Sequence, residues 1–101
     1  MAWVGGALAA GCSLILKASE ETPGACVEIV RCFADAGLPP GVINFVPGDP
    51  AVVAKLALES QDLAGVHFTG STKVFNEIWR SVAGNLEKYR GYPRLVGETG
   101  G

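Results

Sequence analysis

The sequence predicts an α/β fold: a partial, Rossmann-like parallel sheet of about four strands, with helices on both faces. Three observations carry that expectation. Short apolar runs alternate with stretches whose apolar residues recur at helical spacing. The helical stretches open on capping residues and stop at glycine or proline. The cycle then repeats within only 101 residues. Repeated strand–helix–strand units of this kind join parallel strands by right-handed crossovers. Parallel sheets are normally covered on both faces.

Each element has its own signal. Ala2–Ala10 reads as a helix stopped by Gly11, the residue best suited to a left-handed helix end. Cys12–Leu16 is a short apolar run closing at Lys17; it fits a buried strand, although periodicity alone does not separate it from helix. Thr22-Pro23 offers an N-cap followed by proline at the first helical position. Cys26, Ile29, Val30 and Phe33 then recur at helical spacing until Gly37-Leu38-Pro39-Pro40. Val42–Val46 is the second strand. Asp49-Pro50 opens a helix whose inward face is expected to be Val53, Leu56 and Ala57. Gly65–Phe68 is the third strand. The helix after Ser71 carries Phe75, Ile78, Trp79, Val82 and Leu86 on one stripe, which predicts Phe75 and Trp79 in the core. Pro93–Val96 begins the fourth strand, so the strands are expected to end near Lys17, Val46, Phe68 and Val96.

Composition removes several function classes. Eight Lys+Arg against ten Asp+Glu give a net charge of -2, without the basic footprint of a nucleic-acid binder. Apolar residues make up 49% and charged residues 18%, which is not a disordered composition. No apolar run approaches the ~20 residues of a membrane span, and Met1–Gly11 lacks the basic start of a signal peptide. Cys12, Cys26 and Cys32 are odd in number and lack metal-site spacing, which suits a reducing compartment and inert, packing thiols. The last strand runs into Gly97-Glu98-Thr99-Gly100-Gly101 with no covering helix, and the N-terminus lies within an apolar helix. The chain is therefore expected to be a piece of a larger domain.

Parallel strands would bring Lys17–Glu20, Pro47–Asp49, Thr69–Thr72 and Gly97–Gly101 to one sheet edge, where open α/β sheets bind ligands. The usual dinucleotide fingerprint is absent from the first turn, which reads Lys17-Ala18-Ser19-Glu20-Glu21-Thr22. A glycine-bearing turn comes later, at Phe68-Thr69-Gly70-Ser71-Thr72. There Gly70 would admit a ligand close to the backbone, and Ser71 could both cap the helix and donate to a phosphate oxygen. Alone, the same residues read as a plain N-cap. Lys17 and Glu20 could hold ribose hydroxyls or form a solvated turn. Glu98, between glycines at a strand end, could be a general base or an exposed acid. His67 reads as a packing residue, and Lys88, Arg90 and Arg94 as a solvated basic cluster.

Four motifs in register narrow these alternatives. Lys17-x-Ser19-Glu20, Gly41-Val42-Ile43-Asn44-Phe45-Val46-Pro47-Gly48, Phe68-Thr69-Gly70-Ser71 and Gly97-Glu98-Thr99-Gly100-Gly101 together resemble the aldehyde dehydrogenase superfamily. The segment from Phe75 through Ile78-Trp79, Val82-Ala83, Asn85-Leu86 and Tyr89-Arg90 to Tyr92-Pro93-Arg94 resembles its L-glutamate γ-semialdehyde (Δ1-pyrroline-5-carboxylate) dehydrogenase branch. Ala18 stands where the family usually has proline after the lysine.

The resemblance implies an NAD-dependent oxidoreductase of proline degradation, making L-glutamate from its semialdehyde. It implies Lys17, Ser19 and Glu20 at the adenosine ribose and Gly48 against the adenine. Gly70, Ser71, Thr72, Lys73 and Val74 would hold the pyrophosphate, and Glu98 would be the general base. Residues 1–101 would then be part of the NAD-binding domain. The family's cysteine nucleophile and oxyanion-side asparagine match no residue here, so the chain alone is expected to be inactive. The implied partners are a small aldehyde and further copies of the parent enzyme, with no nucleic acid or membrane. The implied compartment is the mitochondrial matrix in a eukaryote and the cytoplasm otherwise. Two other readings stay open: a non-catalytic nucleotide-binding or interaction module, and an aldehyde dehydrogenase for another substrate.

Overall fold

Strands and helices alternate along the chain in the expected order. The computed structural model describes residues 11–17 and 23–100, together with residues 6, 8 and 9. The strands are β1 (Leu14–Leu16), β2 (Ile43–Phe45), β3 (Gly65–Gly70) and β4 (Arg94–Thr99). The helices are α1 (Pro23–Asp35), α2 (Pro50–Glu59) and α3 (Thr72–Gly84), with a short 3-10 turn at Leu86–Lys88. The chain divides into two compact units, Met1–Pro50 and Ala51–Gly101.

In the first unit β1 and β2 pair in parallel, with Leu14 opposite Ile43 and Leu16 opposite Phe45. The ladder is extended at its ends by Leu14 N–H to Val42 O (2.7 Å) and Val46 N–H to Leu16 O (3.1 Å). Asn44 adds a side-chain clamp, its Nδ2 donating to Leu14 O and Gly41 O. Leu16 is the buried centre, 2% exposed. Helix α1 packs on β2, turning Cys26, Ile29, Val30 and Phe33 to half-buried positions as the spacing predicts. It ends in a Schellman motif. Gly37, at φ 100, donates to Ala34 O, and Leu38 donates to Phe33 O. Of the predicted first helix, Gly6, Leu8 and Ala9 are helical, and Gly11 (φ 83) closes back on Leu8 O. Its remaining residues and the Thr22 cap lie outside the described residues.

In the second unit β3 and β4 pair in parallel over six residues, from Gly65 opposite Arg94 to Gly70 opposite Thr99. Helix α3 lies on both strands. Its inward residues include Phe75 and Val82, the latter 4% exposed. The Phe68 and Phe75 rings stack in parallel, 5.8 Å between centroids, an offset arrangement that favours aromatic pairs.

Several expectations need correction. The strands form two separate two-stranded sheets, β1-β2 and β3-β4, rather than one sheet of four. Among the described residues, one helix makes the main contact with each sheet. Apolar runs encode that strands exist, whereas the choice of neighbour is a long-range pairing that local pattern does not contain. β3 and β4 run on to Gly70 and Thr99, because their shared ladder continues through glycines that read as turn signals. β1 starts at Leu14, leaving Cys12 before it and exposed; Cys32 is exposed too, so only Cys26 is half-buried. Leu56 is 68% exposed, while Leu58 is the buried residue of α2 at 7%. Trp79 is 53% exposed, and Leu86 lies beyond α3, also exposed. His67 is exposed because strand alternation turns Val66 and Phe68 inward and the histidine away.

Candidate functional site

The second unit brings most of the predicted site residues to one edge. β3 ends at Gly70, Ser71 follows in extended geometry (φ -76, ψ 146), and α3 begins at Thr72. Ser71 is the N-cap: its Oγ accepts the Val74 N–H at 3.2 Å, and its carbonyl accepts the Phe75 N–H at 3.1 Å. The first N–H groups of a helix have no carbonyl one turn earlier. Ser71 takes up that of Val74, and those of Thr72 and Lys73 remain directed out of the helix end. The Ser71 O–H is still available to donate, so the cap and anion-binding roles are compatible. The first turn of α3 contains no acidic residue, although carboxylates are favoured there. It carries exposed Lys73 instead. That end of the helix is electropositive.

Glu98 stands one strand over, opposite Thr69 in the ladder, with Thr99 opposite Gly70. It is exposed. Gly97 faces the Phe75 ring on the α3 side of the sheet, so alternation places Glu98 on the face away from α3. Its carboxylate is accessible to water, as a proton acceptor requires.

The first unit holds the rest of the predicted set. Lys17 follows β1 directly and is half-buried; Gly48 follows β2 by three residues and is exposed. Both lie past the carboxyl ends of paired parallel strands, hence at the same edge of that sheet. Gly48 has φ 135, a left-handed conformation that side chains resist, with open space around its Cα. Ser19 and Glu20 lie outside the described residues.

Two features were not found by reading the sequence. Gly70 and Gly97 each make room for a ring. A β-carbon on Gly70 would lie 2.7 Å from Phe68 Cζ, and one on Gly97 would lie 2.7 Å or less from three atoms of Phe75. The signal was Phe68-x-Gly70 itself, since residues two apart share one face of a strand. The second feature is a strap, residues 89–94, bound to the turn after α2. The Tyr89 hydroxyl donates to Leu58 O, Arg90 N–H to Gln61 O (3.0 Å) and Arg94 N–H to Ala64 O (3.1 Å). Arg90 also pairs with Asp62 at 3.1 Å, both side chains exposed. Burial pushes the Tyr89 hydroxyl above its ordinary pKa; the Asn85 hydrogen bond opposes this, and the Glu59 charge adds to it. A shallow groove of about 250 Å³ runs along the strap, between Asp62, Arg90 and Tyr92, and none of the predicted site residues lines it. Among the described residues, no three His, Cys, Asp or Glu side chains are grouped to hold a metal ion.

Comparison with known proteins bears on this arrangement. The model of the aldehyde dehydrogenase family matches residues 1–101. A delta-1-pyrroline-5-carboxylate dehydrogenase of Agaricus bisporus is 48% identical over 73 residues, covering 72% of this chain and 13% of that protein. The mitochondrial delta-1-pyrroline-5-carboxylate dehydrogenase of Mus musculus is 40% identical over 103 residues, covering 97% and 18%. The crystal structure of the Mycobacterium tuberculosis enzyme of this name bound with NAD superposes with a TM-score of 0.84 at 48% identity. It covers 88% of this chain and 17% of that one. The chain thus spans less than a fifth of the length of these relatives.

Proposed function

The chain belongs to the aldehyde dehydrogenase family, and from that footing we propose that residues 1–101 form part of an NAD-binding domain. The parent enzyme would oxidise L-glutamate γ-semialdehyde (Δ1-pyrroline-5-carboxylate) to L-glutamate in proline degradation. Support for the substrate is the branch-like segment from Phe75 to Arg94, together with 48% and 40% identity to enzymes of that name. In a eukaryote the enzyme would work in the mitochondrial matrix, in a bacterium in the cytoplasm, and as a homo-oligomer.

One observation carries the cofactor reading. β3 ends, α3 begins and β4 presents Glu98 at a single edge. When bound, NAD supplies the acceptor for hydride from the substrate. The residues present suit its pyrophosphate: outward N–H groups at Thr72 and Lys73, the Lys73 ammonium, and no carboxylate in the first turn to repel it. Ser71 donates its O–H while its oxygen keeps the Val74 N–H. Gly70 and Val74 complete the cradle. Lys17, with Ser19 and Glu20 beside it in sequence, is assigned to the adenosine ribose, and Gly48 to the adenine.

Glu98 is assigned the general-base step: a carboxylate oxygen takes a proton from water as the acid product is released. The family's covalent chemistry also needs a thiolate. Cys12, Cys26 and Cys32 all lie in the first unit, before β1 or on α1, and none matches the family's nucleophile. That thiol is assigned to sequence outside these residues, so the 101-residue chain alone would show no turnover.

The test is Lys73→Glu in the polypeptide at its natural length. Reversing the charge in the first turn of α3 is expected to weaken NAD binding by about five- to tenfold and leave the Michaelis constant for the aldehyde unchanged. Unaltered NAD binding would remove the pyrophosphate from this helix end.

A further inference from the structure

The two aromatic rings under α3 and the two glycines opposite them form one continuous contact path. Gly97 is next to Glu98 in β4, and a β-carbon there would come within 2.7 Å of Phe75 Cδ2, Cε2 and Cζ. Phe75, in the first turns of α3, stacks on Phe68. Phe68 in turn occupies the space in front of Gly70, which precedes the helix cap Ser71. A ring can normally swing away from a new methyl group at little cost. This one is backed by a second ring that is itself seated against backbone, so displacement at Gly97 passes along the stack.

We propose that the Gly97–Phe75–Phe68–Gly70 stack is a positioning lock, which holds the N-terminus of α3 at a fixed offset from the strand carrying Glu98. The lock rests on the reading of residues 70–74 as the pyrophosphate cradle. In that reading Gly97 and Phe75 touch neither cofactor nor substrate; they act through the placement of the Ser71–Val74 turn. The glycine at position 97 is required for the fit of Phe75, so the two positions are matched in size.

Matched positions are tested by a double-mutant cycle, read as the NAD dissociation constant by calorimetry in the natural-length polypeptide. Gly97→Ala is expected to weaken NAD by about tenfold, as overpacking shifts the cradle. Phe75→Leu removes Cε2 and Cζ, the two atoms nearest a β-carbon at Gly97, and leaves a branched chain whose remaining δ-carbons can rotate away. In that background, adding Gly97→Ala should change the constant by less than about twofold. A merely structural role is separated by Val82→Ala, a buried substitution in the same helix. It should lower the melting temperature yet leave NAD affinity unchanged.

If Gly97→Ala alone does not fold, the comparison within the Phe75→Leu background still decides. A weakening that persists there overturns the lock. So does equal loss of NAD affinity in Val82→Ala, or wild-type affinity in a folded Gly97→Ala. A wild-type protein that bound no NAD would instead overturn the cradle itself.

Discussion

Substituting Tyr89→Phe removes one oxygen and opens the C-terminal end of α2. The hydroxyl donates to Leu58 O from 31 residues away. Leu58 lies in the last turn of Pro50–Glu59, where helix carbonyls lack a donor four residues on. The natural candidate, the Asp62 N–H, is turned instead to Ser60 Oγ at 3.2 Å. The carbonyl is therefore left without its replacement donor when the hydroxyl is deleted. A typical net hydrogen bond contributes ~0.5–1.5 kcal/mol, and a partly buried orphaned acceptor puts this one toward ~1–1.5 kcal/mol. For a chain of this size that corresponds to a fall of roughly 4–12 °C in the melting temperature. The same bond carries a pH dependence. Burial, aided by Glu59 and opposed by Asn85, raises the Tyr89 pKa above its unfolded value. A raised pKa adds stability that is fully present below about pH 10, the unfolded value, and lost as pH rises through the folded one. Urea unfolding followed by circular dichroism at about pH 8 and about pH 11 should show wild type losing its advantage over Tyr89→Phe. An unchanged midpoint for Tyr89→Phe at the lower pH, or equal losses in both proteins at the higher, would refute the capping argument.

Three further outcomes are expected. Ser71→Ala deletes the acceptor of the Val74 N–H and should cost ~1 kcal/mol in denaturant unfolding. It should weaken NAD as well, because the donor hydroxyl goes with it. Gly37→Ala forces a side chain into φ 100 at the Schellman end of α1, and a loss of ~1 kcal/mol or more should appear in the unfolding midpoint. Tyr92→Ser alters a side chain that is 82% exposed and should move the stability of the 101-residue chain by no more than ~0.5 kcal/mol.

What could be read from the sequence was local. The end of α1 was legible because Gly37 and Leu38 satisfy a pattern that needs only neighbouring residues. The Ser71 cap was legible for the same reason. The inward face of α2 was legible only in part: Val53 and Ala57 are half-buried as expected, but Val52, Val53, Leu56, Ala57 and Leu58 wrap apolar residues around the whole helix. With no polar stripe to orient it, only the tertiary contacts decide that Leu58 turns in and Leu56 out. His67 was misread for a different reason. Its place inside an apolar strand suggests packing, whereas strand period places His67 opposite Val66 and Phe68. Applying the period of two would have put it on the open face.

The site divides along the same line. Lys17, Gly48, Gly70–Val74 and Glu98 are named by motif; Lys17 and Gly48 follow β1 and β2 as expected, whereas β3 and β4 run on through Gly70 and Glu98. Motifs name residues facing a ligand, however, and are silent about what supports them. Gly70 shows the difference. From sequence Gly70 reads as a place for a ligand to approach; in the fold, the space a side chain would need is occupied by the Phe68 ring. Gly97 obeys the same logic one strand away, beneath Phe75. A single methyl group at either position would be felt first by a ring in the core and only then by the helix end, Ser71–Val74. Substitutions at these glycines therefore report on packing beneath the site, and the polar variants at Ser71 and Lys73 report on the site itself. Interpreting either set requires the other, since weaker NAD binding alone does not distinguish a lost donor from a displaced helix.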